Sequence, residues 1–533
     1  MVCAFDSRPC PSIHHVHSSE RSMFRIALPL ATVTLTTVLL IGGLPGQLMA
    51  GGNRAELVSQ SDARRFGLER AWFTRVSIDS SVGEISHISQ HVSSTNAYTV
   101  FELTYDGGKL VFSERDVDKY GKRIDKLGAQ KLAERRREEL EVLELSPNVT
   151  DRTVQEITLY VTTNRGIVQA IDGETGRTRW ITEAGRAGQA IEAAGANDDY
   201  VAAINGSTIY VLRAADGKLV WKRKVRGAPN GGPVLSQKLL FAPMVNGNIE
   251  IYDLDDHELT PRVFQSTGRV GRPIYTGDVV AWPTDRGHVY ISQADAKNML
   301  YQVETGHPIT TPATALNPGR LLAASTGGYV YCIEKSSGAI LWRFSTGEPI
   351  EKSPMTVGEA IYVVTEGGSL FRLSGKTGLE EWSTTGIRRF LSVSEKRLYC
   401  VAESGPLLVL SAETGGRLGA LASVLPSVQI ENRMTDRIFI GTRGGFIQCL
   451  HEIENEWPVI HLDAAEIAAP ETEEKPAQPT ATETPTDQPA ELNPFATPPA
   501  GADADPFSSG NDADPFSNTD PEVTADDPFD SPF

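Results

Sequence analysis

The chain has 533 residues, 40% of them hydrophobic and 22% charged, with a formal net charge of -18 at pH 7. That is longer than one ordinary core sustains, so repetition or division into domains is expected. An acidic chain without a basic stripe excludes an electrostatic nucleic-acid binder.

Arg21 and Arg25 precede an uncharged stretch, IALPLATVTLTTVLLIGGL at 26–44, followed by Pro45 and by LMA at 48–50. The pattern predicts a secretory signal over 1–50 with cleavage after Ala50. The alternative is an uncleaved anchor and membrane association through 26–44, because a span needs ~20 apolar residues. Either way, positive charges ahead of the apolar stretch predict that the bulk of the chain is exported. Met23 sits directly before Phe24 and Arg25, which makes it a second candidate start beside Met1. No Cys follows the stretch until Cys332, so no lipobox is present and lipid anchoring is not expected.

Residues 51–120 are predicted to hold a small antiparallel β unit. Its strands are WFTRVSID, EISHISQHV, YTVFELTY and KLVFSE between 72 and 114, with DGGK at 106–109 as a hairpin turn. Residues 121–148 follow as a charged helix, with Ile124, Leu127, Leu132, Leu140 and Leu143 forming a partial apolar stripe. Arg135, Arg136 and Arg137 beside Glu134, Glu138 and Glu139 read as a solvated face.

From 149 to 463 one phrase recurs: a short strand, a turn containing Gly, and a Trp four residues after that Gly. It reads AIDGETGRTRW at 170–180, LRAADGKLVW at 212–221, CIEKSSGAILW at 332–342 and RLSGKTGLEEW at 372–382. With Phe264 and Tyr301 in the Trp slot, the series 180, 221, 264, 301, 342, 382 steps by 41, 43, 37, 41 and 40. Two further hairpins, at 397–419 with Gly419 in the slot and at 437–452, bring the count to eight units. Short strands repeating near 40 residues predict an all-β propeller of eight blades, or seven if one degraded unit is an insertion. Asp172, Gly176, Gly217, Gly338 and Gly378 are its turn positions, and Trp180, Trp221, Trp342 and Trp382 are read as wedges between neighbouring sheets. Cys332, Cys400 and Cys449 fall inside strand patterns and are expected as buried free thiols, with one cross-sheet pair as the alternative.

The phrase A-x-D-x-x-T-G-x-x-x-W is matched in full by Ala170, Asp172, Thr175, Gly176 and Trp180, and the chain resembles the quinoprotein-like (PQQ-like) repeat propellers over about three fifths of its length. The resemblance implies the propeller fold. The family holds both quinone-dependent dehydrogenases and non-enzymatic scaffolds such as the outer-membrane assembly lipoprotein BamB, so fold alone does not choose an activity. A dehydrogenase of this kind implies an adjacent Cys-Cys pair, a Ca²⁺ site of Glu, Asn and Asp, and a carboxylate base; no two cysteines here are adjacent.

Residues 464–533 hold sixteen acids against one Lys, fifteen of the 18 net negative charges, and thirteen of the 32 prolines. Such a segment cannot bury enough apolar surface to fold and is predicted to be a disordered tail. It carries NPF at 493–495, DPF at 505–507, 514–516 and 527–529, and SPF at 531–533. Phe495, Phe507, Phe516, Phe529 and Phe533 are thus candidate weak contact points repeated along an acidic string.

No H-E-x-x-H, C-x-x-C-H or G-x-S-x-G occurs, and His257 and His288 are isolated. No catalytic, cofactor or metal residue is assigned. The reading is a non-catalytic exported scaffold for protein–protein interaction in the cell envelope, BamB-like in character. A divergent quinoprotein-type dehydrogenase or small-ligand binder using the central channel is the alternative.

Overall fold

The computed structural model describes residues 56–461 apart from 80, 317, 422 and 423. The apolar stretch at 26–44, both candidate starts and the five tail phenylalanines lie outside the described residues.

The described chain folds into eight antiparallel sheets, which settles the count at eight blades rather than seven. It opens with a short helix α1 (Gln60–Arg65), then strand β1 (Leu68–Arg75), a 21-residue strand β2 (Ile85–Tyr105), β3 (Gly108–Ser113), helix α2 (Lys126–Val142) and a 16-residue strand β4 (Asn148–Thr163). The first blade is completed by β5 (Ile167–Asp172) and β6 (Thr178–Glu183). The next six blades each take four consecutive strands, within 195–224, 234–265, 274–304, 314–345, 355–385 and 387–421.

The eighth blade is closed from the other end of the chain. Its own strands Val428–Gln429, Ile438–Gly441 and Phe446–Glu452 are joined on the outside by β1, in register from Leu68 opposite Glu452 to Arg75 opposite Phe446. The sequence reading placed WFTRVSID in a separate small sheet; the pairing puts it in the ring instead. The next two predicted strands are one. β2 runs through the polar Ser93–Asn96 stretch as a bulge, its first half serving as the inner strand of the first blade and its second half continuing outward. The ring therefore draws on residues well before 149. The KLVFSE hairpin forms as expected, as β3 against β2.

The core lies in the seams between blades. The second strand of a blade is buried on both faces, as in Leu239–Pro243, while the fourth strand alternates toward solvent, as in Leu219–Lys224. Ala202, Ile204, Ile209 and Val211 of the second blade pack on Leu240, Ala242 and Tyr252 of the third. No blade can bury both faces alone, so each needs its neighbours. Cys332, Cys400 and Cys449 are buried and free. Burial pushes the Cys332 thiol up to about 11, out of reach of thiolate chemistry at neutral pH.

The repeat phrase explains the seam geometry. The Trp of one blade and the turn Gly of the next meet each other. Trp180 donates its indole N–H to the Ala214 carbonyl at 2.7 Å, and Gly217 sits against its ring. Gly217 has φ +70°, and a Cβ there would stand 2.5 Å from the Trp180 ring, so both backbone and seat demand Gly. Trp221 donates to Leu254 O at 2.9 Å, Trp342 to Gly375 O at 3.1 Å and Trp382 to Ala412 O at 3.2 Å. Gly378 seats Trp342, Gly415 seats Trp382, and Gly338 seats Tyr301, which fills the slot in the fourth blade. Phe264 instead stacks on Trp282 of the following blade, with ring centroids 6.0 Å apart.

Candidate functional site

An arm grows from the first blade. Beyond the bulge, residues 97–104 of β2 pair with 148–155 of β4, and β3 adds a third strand. Helix α2 packs on this sheet through Ala129 and Ala133 against Phe101, with Phe112, Ile124 and Val149 around them. Asp125 caps the helix, its carboxylate accepting from Gly128 N at 2.8 Å. The packed face is thus built on Ala129 and Ala133 together with Leu140 and Ile124 of the stripe read from the sequence. Leu127 and Leu143 of that stripe face solvent. Arg136 pairs with Glu139 at 2.5 Å and Arg137 with Glu141 at 3.8 Å on the solvated side.

The root of the arm is held by one carboxylate from the second blade. Asp198 meets His91 Nε2 at 2.9 Å and accepts from Thr95 N at 3.1 Å, Thr95 Oγ1 at 3.0 Å and both donors of Ser94. Burial opposes its charge, but the hydrogen bonds from His91, Ser94 and Ser93 outweigh that and hold the carboxyl well below the usual range.

Between the arm and the blade lies a cleft of about 410 Å³ lined by Tyr98, Arg115, Arg123, Asp125 and Glu156, among others. Arg115 lies over the Tyr98 ring at 4.0 Å, and reaches Glu156 at 2.7 Å and Asp172 at 3.2 Å. Arg179 joins Asp172 at 2.7 Å and also pairs with Glu156. Burial, then the neighbouring cations Arg115 and Arg123, bring Arg179 down to about 10. Asp172 has a double duty: its other oxygen accepts from Thr175 N at 2.9 Å and Glu174 N at 3.1 Å, closing the turn before Gly176.

The segment after the last strand fastens the arm from its other side. Lys109 bridges Glu102 at 2.9 Å and Glu456 at 2.7 Å, and Trp457 donates to Glu102 while packing near Tyr98, Val100 and Val154. Below it, Arg437 is only 1% exposed and is satisfied by Glu174 at 3.0 Å and by the carbonyls of Asn455 at 2.9 Å and Glu456 at 2.5 Å. The arm also leaves apolar side chains open: Tyr120 is 81% exposed and Val142 83%, with Val117, Leu127 and Leu143 also outward.

Asp172 alone of the sequence-predicted repeat positions borders this region. Gly176 seats Trp72, and the other glycines and tryptophans are distributed around the ring, one seam each. Two residues missed in the sequence complete that ring. Trp72 of β1 donates to Gly173 O at 2.9 Å, and Phe66, just after α1, occupies the space left by Gly419. The sequence signal for Trp72 was a Trp five residues after Gly67, one more than the spacing of the repeat phrase.

Among the described residues, no group of three or more His, Cys, Asp or Glu side chains is placed to hold a metal ion, and no helix is long and apolar enough to cross a membrane.

Residues 140–307 and 285–436, together more than half of the chain, match the family described as outer membrane protein assembly factor BamB. The chain is 22% identical over 329 residues to the protein of that name from Moranella endobia, covering 56% of this chain and 74% of the relative. It is 25% identical over 232 residues to that from Bordetella pertussis, covering 38% of this chain and 56% of the relative. The crystal structure of BamB from Moraxella catarrhalis superposes with a TM-score of 0.48 at 15% identity, over 55% of this chain and 91% of that one. The arm strands β2 and β3 precede the family match.

Proposed function

Because the chain belongs to the family described as outer membrane protein assembly factor BamB, we propose that it is a non-catalytic propeller scaffold that docks other proteins in the cell envelope. The relatives are named as assembly factors for outer membrane proteins. The same role for this chain is supported by the arm. It adds to the ring a rigid, three-strand-and-helix projection, fixed at its root through Asp198 and along one face through Lys109 and Trp457, whose outer surface carries Tyr120, Leu127, Val142 and Leu143. Apolar side chains held out on a solvated, charged helix are a usual core for a protein interface. Exported residence follows the leader at 26–44, and the Pro–Phe repeats of 493–533 are proposed as secondary, weak attachment points.

The test compares the full chain with a variant carrying Tyr120→Ser, Leu127→Ser, Val142→Ser and Leu143→Ser as bait in cross-linked envelope extract. Loss of specific partners at unchanged melting temperature is expected. Identical partner sets would remove the arm from the reading. Uptake of pyrroloquinoline quinone with Ca²⁺, followed by electron transfer from an alcohol or sugar to a dye, would overturn the scaffold assignment itself.

A further inference from the structure

The cleft at the foot of the arm is built from three pieces of backbone, each pinned on its own. One wall is 96–98, held in place by the contacts of Asp198 to Ser94 and Thr95. A second is Glu114 and Arg115 at the end of β3, where Glu114 N donates to Thr99 O at 3.2 Å. The third is the entry to α2, residues 123–126, where Ile124 N donates to Asp116 O at 2.8 Å and Asp125 caps the helix. The enclosed volume of about 410 Å³ falls within the ~300–1,000 Å³ of small-ligand sites.

Its polar groups divide into two sets. Arg115 and Glu156 are spent on each other and on Asp172 and Arg179, which fixes one side of the cleft. The remaining groups are not spent. Among the described residues, no acid stands within ion-pair reach of Arg123 or Lys126, no cation within reach of Glu114, and the Asn96 side-chain amide makes no hydrogen bond. Tyr98 is 7% exposed, its ring lies under the Arg115 guanidinium, and its hydroxyl donates to no described group. A tyrosine buried to that degree usually gives its O–H a partner. Burial raises the pKa of this one, so the hydroxyl stays a neutral donor at neutral pH.

The free set carries both signs. A polyanion entering the cleft would meet Glu114, Asp125 and Glu156, and a polycation would meet Arg115, Arg123 and Lys126. A molecule bearing one charge of each sign satisfies all of the free groups. We propose that the cleft binds a small zwitterion, a free amino acid or short peptide, with its carboxylate at Arg123, Lys126 and the Tyr98 hydroxyl and its ammonium at Glu114. Arginine's planar fork suits a carboxylate in bidentate fashion. Walls already pinned in place lower the ordering cost of binding. The inference does not rest on the scaffold role or on the apolar surface of the arm.

Isothermal titration calorimetry of the full chain with alanine, trialanine, N-acetyl-trialanine and trialanine amide tests this. Saturable binding of alanine or trialanine is expected, with each blocked peptide at least about tenfold weaker, because each lacks one charge-assisted contact. A response to alanine assigns a free amino acid, and a response to trialanine alone assigns a short peptide. Arg123→Gln and Glu114→Gln should each weaken binding by about tenfold, and Tyr98→Phe, which keeps the ring under Arg115, by about threefold. The exposed Arg135→Gln on the far part of α2 should not alter it. Ligand-free melting of each variant shows whether it is folded, and the blocked peptides test the same contacts on the unaltered chain. No saturable binding, a blocked peptide that binds as tightly as the free one, or equal binding by wild type and the folded Arg123 and Glu114 variants overturns the site.

Discussion

The seam between the first and second blades and the two seams flanking the eighth do the same job with differently sourced parts. At the former, Trp180 and Gly217 come from adjacent copies of one repeat, 37 residues apart. At the latter, Trp72 meets Gly176 from across the arm insertion, and Phe66 meets Gly419 from the opposite end of the ring's sequence. The repeat supplies the chemistry of a seam, a large ring against a Gly turn, and the closure reuses it without reusing the phrase. A propeller is circular in space but not in sequence, so at least one seam must be built this way.

The most disruptive test of that equivalence is removal of residues 56–75. It takes away α1, β1, Phe66 and Trp72 together, exposing the seams on both sides of the eighth blade. Loss of a cooperative thermal transition is expected, measured by circular dichroism, and a sharp near-native transition would show that the ring is stable open. Next in size are Trp180→Ala and Trp72→Ala. Each deletes a buried ring and should cost ~3–5 kcal/mol in chemical denaturation. Similar losses would make the closing seam equal to a repeat seam, whereas a much smaller loss for Trp72 would mark the closure as weak.

Glycine substitutions sharpen the comparison further. Gly217→Ala should cost ~2–4 kcal/mol, because a positive φ and collision with the Trp180 ring add together. Gly306 has φ +76° with nothing within 4 Å of a new Cβ, so Gly306→Ala should show backbone strain alone, about 1 kcal/mol. Phe66→Ala should be partly rescued by Gly419→Phe if the two positions share one space, which a double-mutant cycle would reveal.

The smallest effects are in pH. Asp436, beside the closing strands, is pushed up to about 6, chiefly by burial. Its protonated form is favoured in the folded state, so its contribution is full below the ordinary carboxylate pKa of about 4 and is lost as pH rises toward 6. Asp198, at the root of the arm, has the opposite sign. Its lowered pKa gives stability present above about pH 4 and lost as pH falls through the folded value. Denaturant titrations from pH 3 to 7 should therefore flatten at the upper end in Asp436→Asn and at the lower end in Asp198→Asn.

Period and turn chemistry made the ring legible in the sequence. The four tryptophans, the turn glycines and the count of eight all follow from a local phrase that each blade repeats. What was not legible is non-periodic. Trp72 lies in LERAWFTR, five residues after the turn Gly67 rather than the four of the repeat phrase, and its pairing with 446–452 leaves no local trace. The Ser93–Asn96 stretch has turn composition, yet Asp198 satisfies its donors from another blade and keeps β2 continuous. Helix α2 packs on Ala129 and Ala133, which are too small to register in an apolar stripe.

Closure by β1 also sets a schedule for assembly. Leu68 waits for Glu452, so a chain emerging from its N-terminus carries an unpaired strand through the making of seven and a half blades. Loop-closure entropy rises only slowly with length, so the wait is inexpensive at equilibrium. Kinetically it is different: two raw sheet edges stay available to a neighbouring chain until the last hairpin is made. Maturation is therefore a single late event, sensitive to anything that delays release of residues 446–452, and incomplete chains should exchange β1 with each other to give dimers.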